Sequence, residues 1–203
     1  MAKTLTNVIA IIGDNASVNI ATANLLDKPF IGCYSHRLNL AVEHWMKQQQ
    51  GFSAALKKVS DLMIRASTLK NAAQLRTLTD LAPVKHNATR WMSEYYMIKR
   101  YFEIQCELNL IEELAMLIPH AYDNTVLTKA MESLKEMMDF TLHFQKKGVT
   151  LDDYRYCCDT LIERYSDMKH HLNKDYGPSA TFESAVVKIA TDKVDVRMYR
   201  MHD

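Results

Sequence analysis

The run VIAII, residues 8–12, constrains this chain more than any other stretch. It is five apolar residues rich in β-branched side chains, closed by Gly13 and followed at once by Asp14. An apolar run of that length without alternation predicts a strand covered on both faces, as in a parallel or mixed sheet. A second short run, Phe30–Tyr34, reads the same way. Between them Val18, Ala21, Leu25 and Leu26 share a helical face, with Asp14, Asn15 or Ser17 available as its cap and Lys28-Pro29 as its stop. Leu38, Ala41, Val42 and Trp45 then space a further helix that closes near Gly51. Residues 1–50 thus read strand, helix, strand, helix. Two neighbouring strands do not make a stable open sheet, so the sequence predicts that whatever pairs beyond Val8 is missing and that the N-terminus is cut.

After Gly51 the period changes. Phe52, Leu56, Val59, Met63, Ala66, Leu69 and Ala73 keep a three-to-four spacing up to Pro83. Pro119, Gly148 and Gly177-Pro178 divide the rest of the chain into helices near 91–118, 125–147 and 151–175, with Thr150 and Asp153 forming a capping box. The expected class is mostly α with a small α/β part: two short strands within residues 1–50, then an all-helical region over 51–203. Most of the twelve methionines fall on apolar helix faces, where they fill core.

Bulk composition excludes several classes. At 203 residues and 48% hydrophobic, the chain can bury a substantial core and is not disordered. No run reaches the roughly 18 apolar residues of a membrane span, and no basic, then apolar, then small-residue signal opens it, so no membrane partner is expected. Cys33, Cys106, Cys157 and Cys158 include an adjacent pair poorly suited to a mutual bridge, and reduced thiols are expected. The net charge of +1 hides asymmetry: residues 57–100 carry 9 basic and 3 acidic groups, and residues 101–203 carry 12 and 18. The middle segment reads either as a surface that attracts a phosphate backbone or as a solvated helix face.

Several residues could carry chemistry. Gly13 and Asp14 would lie at the carboxyl end of a strand, where open α/β sheets bind ligands, so Asp14 is either a helix cap or a magnesium ligand. Cys33 and His36 have C-x-x-H spacing, but a closed zinc site needs four ligands and no second pair lies nearby. Their alternative is a small packed thiol and a histidine hydrogen-bonded at a helix start. Arg90-Trp91 ends a loop in the basic segment, where the indole could stack on an unpaired base while the guanidinium holds phosphate, or could anchor a helix in the core.

The order GDNASVN, then CYSHRLNLAV, then NATRWMS resembles the catalytic core of the hAT superfamily of DNA transposases, named for hobo, Activator and Tam3. The resemblance is strongest over residues 8–100. It implies a partial RNase H-like fold interrupted by an all-helical insertion, to which the later helices would correspond. It implies that Asp14 is the second of three metal-binding carboxylates, that Cys33 and His36 lie near the active site and contribute to DNA handling, and that Trp91, beside Arg90, stacks on a flipped or hairpin nucleotide at the cleaved flank. No glutamate, Glu163 and Glu183 included, matches the family's last carboxylate. The first aspartate, a zinc-finger module and a dimerisation segment also find no match.

The expected function is therefore that of a truncated or decayed piece of a hAT-type transposase. In the intact enzyme Mg²⁺ or Mn²⁺ would support phosphodiester cleavage and strand transfer. The chain alone, with one carboxylate, is expected to be inactive and to hold no metal stably. Its partner would be transposon-end DNA, its compartment the nucleus through that substrate, with self-association open. The alternative is a non-catalytic DNA- or protein-binding protein derived from a transposase.

Overall fold

The computed structural model describes residues 7–87 and 90–199, and the side chains among these as far as residue 191. Ala88 and Thr89, the latter part of the NATRWMS stretch, lie outside the described residues, as do 1–6 and 200–203. The elements in order are β1 (Ile11–Gly13), α1 (Ser17–Leu25), β2 (Phe30–Gly32), α2 (Tyr34–Gln48), α3 (Phe52–Ala66), α4 (Leu69–Leu75), α5 (Met92–Asn109), α6 (Glu112–Ala115), α7 (Ala121–Phe144), α8 (Leu151–Arg164), α9 (Lys169–Leu172) and α10 (Ala180–Tyr199). The chain is mostly helical with one small parallel pair of strands, as the sequence predicts. No described helix is long and apolar enough to cross a membrane. It divides into two compact units, 1–41 with 140–203, and 42–139.

In the first unit β1 and β2 pair in parallel, with Ile11 opposite Phe30 and Gly13 opposite Gly32, joined by the α1 crossover. The strands are shorter than the apolar runs that announce them. β1 is also not covered on both faces: Ile12 is 74% exposed and Ile9 83%. With two strands and one crossover helix, only one face finds cover, so the uniform hydrophobicity of VIAII outruns what the described residues bury. The helical face expected from Val18, Ala21 and Leu25 is turned outward as well, and α1 buries Ala23 instead. None of Asp14, Asn15 and Ser17 occupies the N-cap: Ala16 does, with no side-chain cap of its own, and Asp14 accepts from the Ala16 N–H instead.

The later part of this unit packs α8 against α10 and the short α9. Tyr154 of α8 stacks on Tyr34 at 5.0 Å, meets the Phe144 ring edge-on, and donates its hydroxyl to the Phe144 carbonyl at 2.8 Å. The capping box read from Thr150 and Asp153 is present in both directions: Asp153 N–H donates to Thr150 Oγ1, and Thr150 N–H to Asp153 Oδ2 at 2.9 Å.

In the second unit α3 lies along α5. Val59, Leu62, Met63 and Ala66 of α3 are buried, as are Met97, Ile98, Tyr101, Ile104 and Leu108 of α5. The three-to-four spacing after Gly51 holds through Ala66 and then breaks at Ser67-Thr68, so that Leu69 is left exposed and α4 buries Asn71 and Leu75. Asn71 is held there by donating to the Arg65 carbonyl at 3.1 Å. Charged and polar pairs bridge helices, among them Lys58 to Asp123 at 2.7 Å and the Tyr101 hydroxyl to Asn124 Oδ1 at 2.9 Å.

The capping box makes the first testable expectation. Thr150→Ala removes the acceptor for Asp153 N–H and the partner of its carboxylate, and should lower stability by about 1 kcal/mol in chemical denaturation. A change under a few tenths would show that α8 is fixed by packing alone.

Candidate functional site

The parallel register sets Asp14 and Cys33 side by side. Each immediately follows the last residue of its strand, and Cys33 N–H donates to the Gly13 carbonyl at 2.6 Å, extending the ladder past the glycines. Asp14 Oδ1 accepts from Ala16 N–H at 3.2 Å and from Asn19 Nδ2 at 2.6 Å, which closes the strand-to-helix turn on the carboxylate. The remainder of Asp14 is exposed. The Asn15 side chain lies close against Gly32: a Cβ there would meet Asn15 Oδ1 and force that side chain to move, so the GDN turn leans on the end of β2. His36 is half-buried in the first turn of α2, three residues past the half-buried Cys33.

Among the described residues no three His, Cys, Asp or Glu side chains gather into a metal-holding group. Asp14 offers one carboxylate with one oxygen already accepting two hydrogen bonds. That donor set does not fit a pair of cations about 3.5–4 Å apart.

One residue of this unit that sequence reasoning passed over is Arg37, 1% exposed. Its Nε donates to the His171 carbonyl at 3.1 Å, Nη2 to the Asn173 carbonyl at 2.8 Å, and Nη1 to Glu183 at 3.2 Å. The guanidinium also lies over the Tyr34 and Tyr176 rings, 4.7 and 5.1 Å from their centroids. Glu183 Oε1 accepts a second bond from the Tyr34 hydroxyl. Burial, reinforced by the Glu183 carboxylate, pushes the Tyr34 phenol far above its ordinary range, so it remains a donor. Glu183 is thus committed inside the unit. The sequence signal for Arg37 is an arginine in the apolar register of α2, one position before Leu38.

Arg90 and Trp91 belong to the other unit. Arg90 is exposed, whereas the Trp91 indole is 2% exposed and sits at the start of α5. Ser93 braces the segment, its Oγ accepting from Asn87 N–H at 3.0 Å and lying 2.6 Å from the Asn87 carbonyl oxygen, to which it donates. Both sequence alternatives for Trp91 keep an observation: the ring is core, and it also walls a cavity of about 290 Å³. Met46, Phe52 and Leu56 supply the apolar lining, and Lys47, His86, Arg90, Glu43 and Glu94 the polar lining. Glu94 Oε2 is buried without a hydrogen-bond partner. Burial raises the Glu94 carboxyl above its ordinary range, partly offset by His86 and Lys47 and reinforced by Glu43.

The basic segment looks different once folded. Lys57 pairs with Asp61, Lys58 with Asp123, Arg65 and Lys70 with Glu113, and Lys99 and Arg100 with Glu103. Three of those four acids come from the acidic segment beyond residue 100, so the surplus read along the chain is offset in space. Arg76, Lys85 and Arg90 make no ion pair with the described residues.

Compared with known proteins, the chain matches no protein-family model, no curated protein and no solved structure.

Buried Glu183 and half-buried Glu94 give the next tests. Glu183→Gln leaves the Arg37 guanidinium buried without its counter-charge and should cost about 3–5 kcal/mol of stability, against a smaller loss for Arg37→Met combined with Glu183→Leu; equal losses would mean that the pair acts only through volume. Glu94→Gln should stabilise the protein slightly at pH 7, the effect being reduced because the half-exposed carboxylate is partly screened by solvent. Because the folded carboxyl titrates above its unfolded value of about 4.3, the penalty that Gln relieves is absent below that pH and grows as pH rises through the folded value. Thermal melts of the two proteins should therefore coincide near pH 3.5 and separate by pH 7, and a separation that is constant with pH would contradict this reading.

Proposed function

We propose that the chain is a segment of a hAT-type DNA transposase, part of an RNase H-like core followed by much of its helical insertion, and that it handles DNA without cutting it. The observation that carries the reading is the parallel register at Gly13 and Gly32, which aligns Asp14 with Cys33 at the carboxyl edge of a β-α-β unit. That edge is where ligands approach open α/β sheets. The order of GDN, C-x-x-H and R-W in the sequence gives the same residues their parts: Asp14 as one carboxylate of a metal site, Cys33 and His36 on the adjoining strand end, Arg90 and Trp91 for an unpaired nucleotide at a hairpin or flipped-base flank. The cavity beside Trp91 supports the last assignment, because it combines an apolar wall with Lys47, His86 and Arg90 at its lining.

The second reading is a non-catalytic DNA- or protein-binding protein derived from a transposase. It is favoured by the single carboxylate at the strand ends. In that reading Asp14 has no part in a metal site.

The test uses hairpin-ended DNA with a short unpaired flank. In fluorescence anisotropy the protein should bind it with an affinity that Arg90→Ala weakens by about tenfold and Trp91→Phe by less, since Phe keeps a stacking face and the core volume. In Mg²⁺ neither the protein nor Asp14→Asn should nick the DNA. Equal affinities for the protein and Arg90→Ala would remove this cavity from DNA handling. Nicking that disappears in Asp14→Asn would contradict the non-cutting role.

A further inference from the structure

Arg155, on α8, is 9% exposed, and its guanidinium is incompletely used. Nη2 donates to Asp159 at 2.7 Å, whereas Nε and Nη1 are both buried with no acceptor. A buried guanidinium edge without an acceptor is costly, and the geometry therefore calls for an oxygen-rich ligand. The residue lines a concavity of about 220 Å³ formed with Lys174, Glu183, Ser184, Val187 and Lys188.

Charge at this place decides the ligand class. Asp159 is matched by Arg155 itself, and Glu183 by Arg37. Lys174 and Lys188 are exposed and make no ion pair with the described residues, so the concavity carries a surplus of two positive charges. We infer that the concavity between α8 and α10 binds a phosphomonoester dianion, with Arg155 turning from Asp159 to donate and Lys174, Lys188 and the Ser184 hydroxyl closing around the phosphate. A phosphomonoester carries close to two negative charges at pH 7 and three strong acceptor oxygens, which match two free ammonium groups and an unused guanidinium edge. The volume leaves space beyond the phosphate for the group that bears it, against the apolar wall of Val187. Asp159 is 58% exposed at its side chain, so the guanidinium can turn from it toward the ligand while the carboxylate returns to water. This site is independent of the DNA reading, since none of its residues has a part there.

Isothermal titration calorimetry of the whole chain at fixed ionic strength, with methyl phosphate as the monoester and dimethyl phosphate as the diester, tests it. Methyl phosphate should give saturable binding, the double variant Lys174→Gln with Lys188→Gln should weaken it by about tenfold or more, and dimethyl phosphate should bind at least about tenfold more weakly than the monoester. Both lysines are exposed, so that variant keeps the fold; Arg155→Lys, checked for folding by circular dichroism, should weaken binding further than either lysine change alone. No saturable heat with methyl phosphate, an affinity unchanged in the double lysine variant, or a diester that binds as well as the monoester would each overturn the proposal.

Discussion

The first unit depends on one buried guanidinium. Arg37 leaves α2 and meets, within hydrogen-bonding distance, two backbone carbonyls at 171 and 173 and the carboxylate of Glu183. It thereby ties the strand-bearing segment to a part of the chain more than a hundred residues later. Desolvating an arginine is expensive, and the cost is offset only because all three nitrogens have acceptors and two aromatic faces cover the planar group. The Ser179 hydroxyl, which accepts from Phe30 N–H at 2.9 Å, adds a second tie across the same interval. With β1 and β2 pairing over so few residues, a sheet of this size has little stability of its own, and it is this return of the chain that covers β2.

Local features are legible in the sequence to different degrees. The parallel strand pair, the helix on Leu38, Ala41, Val42 and Trp45, and the Thr150 capping box come from short-range rules, and the structure reproduces each. The apolar face of α1 departs from expectation because Val18 and Leu25 are periodic but unburied, and periodicity reports what could be covered rather than what is. The continuous stripe through Leu69 and Ala73 breaks at Ser67-Thr68 for a different reason: the hydroxyls of both residues bond back to helix carbonyls, and the chain turns there. Nothing local announces the Arg37 and Glu183 pair, since a lone arginine on a helix and a lone glutamate far downstream carry no mutual signal.

Charge shows the same limit. Counted along the chain, residues 57–100 form a basic block and residues 101–203 an acidic one. Folded, Glu103, Glu113 and Asp123 come to the lysines and arginines of α3, α4 and α5, which reduces the surplus of the block without removing it. Exposed pairs of this sort contribute little to stability, but they compete with phosphate for the same cations. The cations left unpaired for any phosphate backbone are fewer than the composition suggests: Arg76, Lys85 and Arg90 make no ion pair with the described residues. Glu94 is half-buried in the cavity at Trp91, and its Oε2 has no hydrogen-bond partner among the described residues.

The proposed DNA-handling role assigns one contact to the strand ends of the first unit and, separately, one to the Trp91 segment of the second. Hydrogen–deuterium exchange of the whole chain, with and without hairpin-ended DNA, addresses both at once. Protection should rise in the peptides covering residues 13–19, 33–37 and 86–94 and remain unchanged along α3 and α4, whose cations are already paired. Protection spread over α3 and α4, with the strand ends and the Trp91 segment unaffected, would contradict that role and leave the chain a generic polyanion binder.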